Sequence, residues 1–279
     1  MKFVLYLTIS LLFLICSGNH LKAEADNKYI SVEIALSNNT INLGLSGLGG
    51  HQEECIEMKI SNLLPDSIFV VFEPGRILQS KDANEQDIVI VKERRFAIGP
   101  LRKIVARLFG FCAQSKNSSP AKGSIFSVGK MGNEDLITLA KLIDKNNFPT
   151  PAIQHAIWIL TDNNPISSIH HDKPELIRPL LNLVCKLKRI KFPWYMMIFE
   201  EDTAMLFSGR PQILSAQIDY YISNNSVVDL NLRNEGGKII RKFITGQLHN
   251  PDKYTYNLKL NVANWRPGKY YLHLYADAT

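Results

Sequence analysis

The stretch Val227-Val228-Asp229-Leu230-Asn231-Leu232-Arg233, followed by Asn234-Glu235-Gly236-Gly237 and then Lys238-Ile239-Ile240-Arg241-Lys242-Phe243, reads as two strands joined by a tight turn. Val228, Leu230 and Leu232 alternate with Asp229, Asn231 and Arg233, the two-residue period of a strand with one buried face. Asn234 and the two glycines supply the positive φ that a short hairpin connection demands. Working outward, Ala216–Ile222, Val227–Arg233, Lys238–Thr245, Tyr254–Leu260 and Lys269–Tyr275 are five strand candidates. The segment Lys191-Phe192-Pro193-Trp194-Tyr195 marks where this module begins, so residues 192–279 are expected to form a β-sandwich of immunoglobulin-like size.

The same pattern governs the first half of the chain. Ile30–Leu36, Cys55–Ile60, Ile68–Phe72, Asp87–Val91, Arg94–Ile98 and Lys103–Cys112 are short extended candidates. Turn residues such as Pro65-Asp66 and Pro74-Gly75 separate them, which predicts an antiparallel sandwich or barrel, most simply a sandwich-like domain. Gly44-Leu45-Ser46-Gly47-Leu48-Gly49-Gly50 lacks the Lys-Ser/Thr of a phosphate-binding loop and is expected to be a flexible hairpin or loop.

Between these β regions the period becomes helical. Asn133 is an N-cap candidate for a helix over about 133–146, with Leu136, Leu139, Ala140 and Ile143 on one face. A second helix is expected over 150–161, capped by Thr150 with Pro151 at its first position, and striped by Ile153, Ala156, Ile157 and Leu160. A third, over about 173–190, contains Pro179, which must kink or divide it. Three helices are too few for a separate bundle, so they are expected to pack on the N-terminal β-domain, completing a mainly β unit of residues 26–191 with a helical segment.

The start of the chain carries an address. Lys2 precedes an apolar run from Phe3 to Ile15, and Ala23-Glu24-Ala25 offers a small-x-small cleavage site. That is the layout of a secretory signal peptide over residues 1–25, and the run is too short to span a membrane. Lipid attachment at Cys16 is the less favoured alternative, because Ile15 stands where a small residue is usual. The protein is therefore expected to be exported: periplasmic, cell-surface or secreted, with no transmembrane span after the leader is removed.

The formal charge of +6 falls to +5 without Lys2, Lys22 and Glu24, and it is spread along the chain. The basic runs Lys92–Arg107 and Lys186–Lys191 lack interleaved aromatics, which argues against a nucleic-acid partner. Export leaves Cys55, Cys112 and Cys185. Cys55 and Cys112 lie on expected strands and are a possible disulfide; Cys185 reads as a buried free thiol on the apolar side of a helix.

Candidate sites are few. Gln154, Trp158 and Asp162 recur every fourth residue and share one helix face, which suits either a bound ligand or packing, with Trp158 buried and Gln154 satisfying a backbone group. His170, His171 and Asp172, with His155 on the preceding helix, are the sharpest polar cluster for a metal or hydrolytic site, and Cys112 with a histidine is a weaker candidate for a nucleophilic pair, without a local signature. No HExxH-like spacing supports them, and Asp172 has a simpler use as a helix cap. No cofactor is indicated.

Val227–Phe243 together with Trp265-Arg266-Pro267-Gly268-Lys269-Tyr270-Tyr271-Leu272 resembles the Ig-like module of the flagellar hook-capping protein and related C-terminal modules of exported bacterial proteins. The resemblance implies a sandwich fold for the last part of the chain and brings no catalytic residues. Some such modules are sorting signals with a basic tail, but Ala276-Asp277-Ala278-Thr279 is not basic, so that role is not expected. Phe111-Cys112-Ala113 and Gln154–Asp162 are similar to strings in uncharacterised secreted bacterial proteins. Together these readings predict a non-enzymatic exported binding or structural protein with a protein or glycan partner in the envelope. A metal-binding protein or hydrolase using His155, His170 and His171 is the alternative.

Overall fold

The computed structural model describes residues 28–200 and 206–278. The leader, with Cys16 and the cleavage site, lies outside them. The chain divides into two compact units: residues 28–166 and 171–191 with Leu206, and residues 167–170, 192–200 and 207–278. Both are mainly β, with the α-helices of the described residues confined to the first.

In the first unit, β1 (Ile30–Ser31), β4 (Ile68–Phe72) and β7 (Arg94–Ile98) form a small sheet. The other six strands close into an antiparallel barrel in the order β2 (Ile41–Leu48), β3 (Gln52–Asn62), β8 (Lys103–Cys112), β6 (Ile88–Ile90), β5 (Arg76–Ser80) and β9 (Lys122–Met131), with β9 returning to β2. The sandwich-like arrangement expected here is thus a closed barrel beside a three-stranded sheet. One apolar core serves both, from Ile56, Met58 and Leu108 on barrel strands to Val70, Phe72 and Phe96 on the sheet. Closure depends on small residues. A Cβ on Gly47 would sit 2.6 Å from the Ala121 carbonyl at the β2–β9 seam, and one on Gly110 would sit 2.4 Å from Ile88.

Ile30–Leu36, read as a strand, is instead mostly the helix α1 (Val32–Ser37). Ser31 caps it by accepting from the Glu33 amide at 3.2 Å. Val32 and Ala35, three apart, are the fully buried pair, so a seven-residue window fitted either period. Arg76 ties this helix to the barrel. Its guanidinium, only 2% exposed, pairs with Glu33 and Glu73 and donates to Ser31 Oγ at 3.0 Å and the Gly129 carbonyl at 3.1 Å. Burial works against its charge, yet the hydrogen bonds it donates to Glu73 and Glu33 prevail and hold its pKa above the ordinary value.

Three further helices pack in this unit. In α2 (Glu134–Lys145), Asn133 accepts from the Leu136 amide at 2.9 Å, the cap its sequence announced. Lys92 closes the other end, its Nζ 2.7–3.0 Å from the carbonyls of Ile143, Asp144 and Asn146, where a cation meets the negative helix terminus. For α3 (Thr150–Thr161), the cap position is Pro149 rather than Thr150, whose hydroxyl donates to the Glu53 carboxylate. The third expected helix is divided before Pro179. A 3-10 turn at Pro174–Leu176 precedes α4 (Arg178–Lys188), in which Pro179 occupies the first turn, where its missing N–H costs nothing. Asp172 does not cap this segment; the Lys173 amide is held by His171 Nδ1 at 3.0 Å.

The second unit has two three-stranded sheets. One has the order β10 (Met196–Phe199), β11 (Pro211–Ile222), β14 (Asp252–Asn261); the other has the order β13 (Ile239–His249), β12 (Ser226–Asn234), β15 (Tyr270–Ala278). The turn at Asn234–Gly237 connects β12 to β13: the Gly237 amide donates to the Asn234 carbonyl at 2.9 Å, and Gly237 has φ 76°. Leu230 and Val228 of one sheet pack with Ile222 of the other, and Leu232 packs with Leu258 and Leu260.

Candidate functional site

A cleft of about 460 Å³ in the second unit opens between its two sheets. Alternation on the strands builds its floor. Leu258 and Leu260 on β14 point inward past exposed Lys259, and Leu232 on β12 meets them. Trp194, Met197 on β10, Trp265 and Tyr270 form the walls. The Trp265 and Tyr270 rings lie 5.1 Å apart, and the Tyr270 hydroxyl donates to the Arg266 carbonyl at 2.9 Å, folding Trp-Arg-Pro-Gly-Lys-Tyr back over the cleft. Arg266 is the one charged side chain in the lining. With the Tyr270 hydroxyl engaged internally, the cleft offers, beside Tyr195 and Arg266, mainly apolar surface of the size that takes an apolar side chain, ring or short acyl group.

The residues singled out from sequence have other work. Gln154 and Trp158 do share a face of α3, but it turns into the barrel wall, where they are 2% and 3% exposed. Gln154 donates to the Cys112 carbonyl at 2.8 Å and accepts from the Cys112 amide at 3.2 Å. Trp158 Nε1 donates to Gln86 Oε1 at 3.4 Å. Asp162 ends the helix, accepting from the Thr161 hydroxyl at 2.6 Å. A smaller cavity of about 270 Å³ nearby is lined by Asp87, Gln114 and Asn133, whose polar atoms already serve Ser80, each other and Leu136.

His155 lies edge-on to Trp158 with centroids 5.7 Å apart, and His170 Nδ1 is 3.0 Å from the Ser168 carbonyl. Among the described residues no group of three or more His, Cys, Asp or Glu side chains is arranged to hold a metal ion. Cys55 and Cys112 are both free thiols, correcting the disulfide considered above. Cys55 Sγ contacts the Gly110 carbonyl at 3.6 Å, and burial pushes its pKa up to about 12. Burial, with the nearby Cys55, Asp87 and Glu85, raises Cys112 as well. Cys185 is a buried free thiol. Thiols kept neutral in this way are poor nucleophiles.

No helix among the described residues is long and apolar enough to cross a membrane. No family model, curated protein or solved structure matches the chain. The cleft residues were visible in the sequence only as a module boundary (Trp194) and a strand entry (Trp265–Leu272). The signal that marks them as a site is the gathering of aromatics at both ends of one sandwich-sized segment.

Proposed function

We propose that this is an exported, non-enzymatic binding or structural protein of the bacterial envelope or surface, whose C-terminal module is the binding unit. The observation that carries this is the apolar cleft walled by Trp194, Met197, Trp265 and Tyr270. The leader-like N-terminus supports export, and the likeness of Val227–Leu272 to the Ig-like module of the hook-capping protein supports an interaction role. The cleft takes up an apolar group presented by a protein or other envelope partner.

The test uses the mature protein and the apolar fluorophore 8-anilinonaphthalene-1-sulfonate, with Trp158→Phe as background so that emission reports on Trp194 and Trp265. Saturable binding with quenching is expected, and Met197→Glu at the half-buried wall is expected to weaken it at least 10-fold. Binding indifferent to Met197→Glu would remove the cleft from the account. Turnover of an ester, peptide or glycoside panel that vanished with Cys112→Ser or His170→Ala would overturn the non-enzymatic reading.

A further inference from the structure

Within the second unit the first, second and fifth strands form one sheet and the fourth, third and sixth form the other. Among the described residues the outer edge of β15 carries no ladder; its nine register positions pair with β12 alone. Unpaired edges are ordinarily blunted by charge, bulges or shortness. The other edges of the module are so treated: β10 has four residues, β14 carries Lys253 and Lys259, and β13 carries Arg241 and Lys242 and is broken by three register shifts. In contrast, β15 is regular throughout and uncharged from Tyr270 to Ala276. It also exposes Tyr271, Leu274 and Tyr275 by 45%, 38% and 41%.

The sequence of this edge says what covers it. Lys269-Tyr270-Tyr271-Leu272-His273-Leu274-Tyr275-Ala276-Asp277 is near-palindromic about His273. We infer that β15 pairs antiparallel with β15 of a second copy of this chain, His273 facing His273 across a two-fold axis. In that register Leu272 meets Leu274 on the inner face, Tyr271 meets Tyr275 on the outer face, and Lys269 meets Asp277 at both ends. A two-residue slip in either direction loses both ion pairs, and a one-residue slip sets leucines against the aromatic row. The pairing is isologous and therefore closes at a dimer. Each copy covers the other's exposed Leu274. The inference does not depend on what fills the cleft.

The test is sedimentation velocity of the full mature protein across a concentration series. A strand-sized interface predicts a reversible dimer with a Kd on the order of micromolar. Lys269→Asp and Asp277→Lys each place like charges opposite one another twice per dimer, and each is expected to weaken association about 10-fold. The double swap restores it. Both positions are exposed, so folding is spared. A His273→Cys protein is expected to crosslink to dimer with copper phenanthroline, whereas Tyr271→Cys is not. A monomer at 100-fold above the expected Kd overturns the inference, as does a dimer that ignores both charge reversals. Since fluorophore binding is read through Met197→Glu in monomer or dimer alike, a failed cleft and a failed dimer are told apart.

Discussion

The side-chain amide of Gln154 holds the main chain of Cys112 at two points, carbonyl and N–H, from a helix 42 residues along the chain. It acts as one extra rung at the end of barrel strand β8, buried beside Trp158. Gln154→Leu keeps the volume but strands the Cys112 carbonyl, since its amide retains a second acceptor in His51 at 3.0 Å. The expected loss is about 2 kcal/mol, read from the urea midpoint. Gln154→Glu is expected to be worse at neutral pH and to recover on acidification, because only the protonated carboxyl can donate to Cys112.

Thiol chemistry offers a second check. Cys55 and Cys112 should stay silent towards Ellman's reagent in the native protein and react on unfolding, with no disulfide in the unreduced mass. Their folded pKa values lie above the unfolded value, so the stability they contribute is intact below about pH 8.5, the ordinary thiol pKa, and is lost as pH rises towards about 12 for Cys55. Cys55→Ala should flatten the alkaline limb of a stability–pH curve. An unchanged limb would contradict the burial argument.

Arg76 makes a sharper electrostatic case. Its guanidinium is buried while Glu33 is half exposed, so the arginine and not the acids needs compensation. Glu33→Gln or Glu73→Gln alone should cost about 1 kcal/mol, because the other carboxylate remains. The double change is expected to cost about 3–5 kcal/mol, more than the sum, since it leaves a buried cation unpaired. Chemical denaturation of the three variants checks this.

Gly110 is a steric prediction. An added methyl would stand 2.4 Å from Ile88 and 3.0 Å from the Val89 carbonyl. Gly110→Ala should therefore push β6 off β8, at a cost of at least about 3 kcal/mol. Gly50→Ala, in the open β2–β3 turn but at φ 91°, should cost less.

How far the sequence could be read follows from which forces act locally. Ile68–Phe72, Arg94–Ile98 and Lys103–Cys112 appear as strands with the bounds their alternation predicts, and Asn133 caps the helix it precedes. Strands β2 and β9 escaped because glycine there makes room for a neighbour's backbone: Gly47 for the Ala121 carbonyl and Gly129 for the Ile77 carbonyl, partners far along the chain. Closure of the barrel is such a long-range fact, and alternation alone does not tell a barrel from a sandwich. Among the site residues, Gln154 and Trp158 were recognisably on one face, but only tertiary contact says that the face meets a wall. The cleft was hidden because Trp194 and Trp265 are 71 residues apart and neither lies in a periodic run.

The β2–β9 seam has a consequence for how the chain is made. Because β9 closes the barrel against β2, the ring cannot form until residue 131 has left the ribosome or translocation pore, although its first strands emerge some 80 residues earlier. Until then β2 and β3 exist as a hairpin with raw edges, and loop closure of this span makes slow folding the rule. The first unit therefore has to wait for its last barrel strand, while the sequence-local β12–β13 hairpin of the second unit can set as soon as it appears.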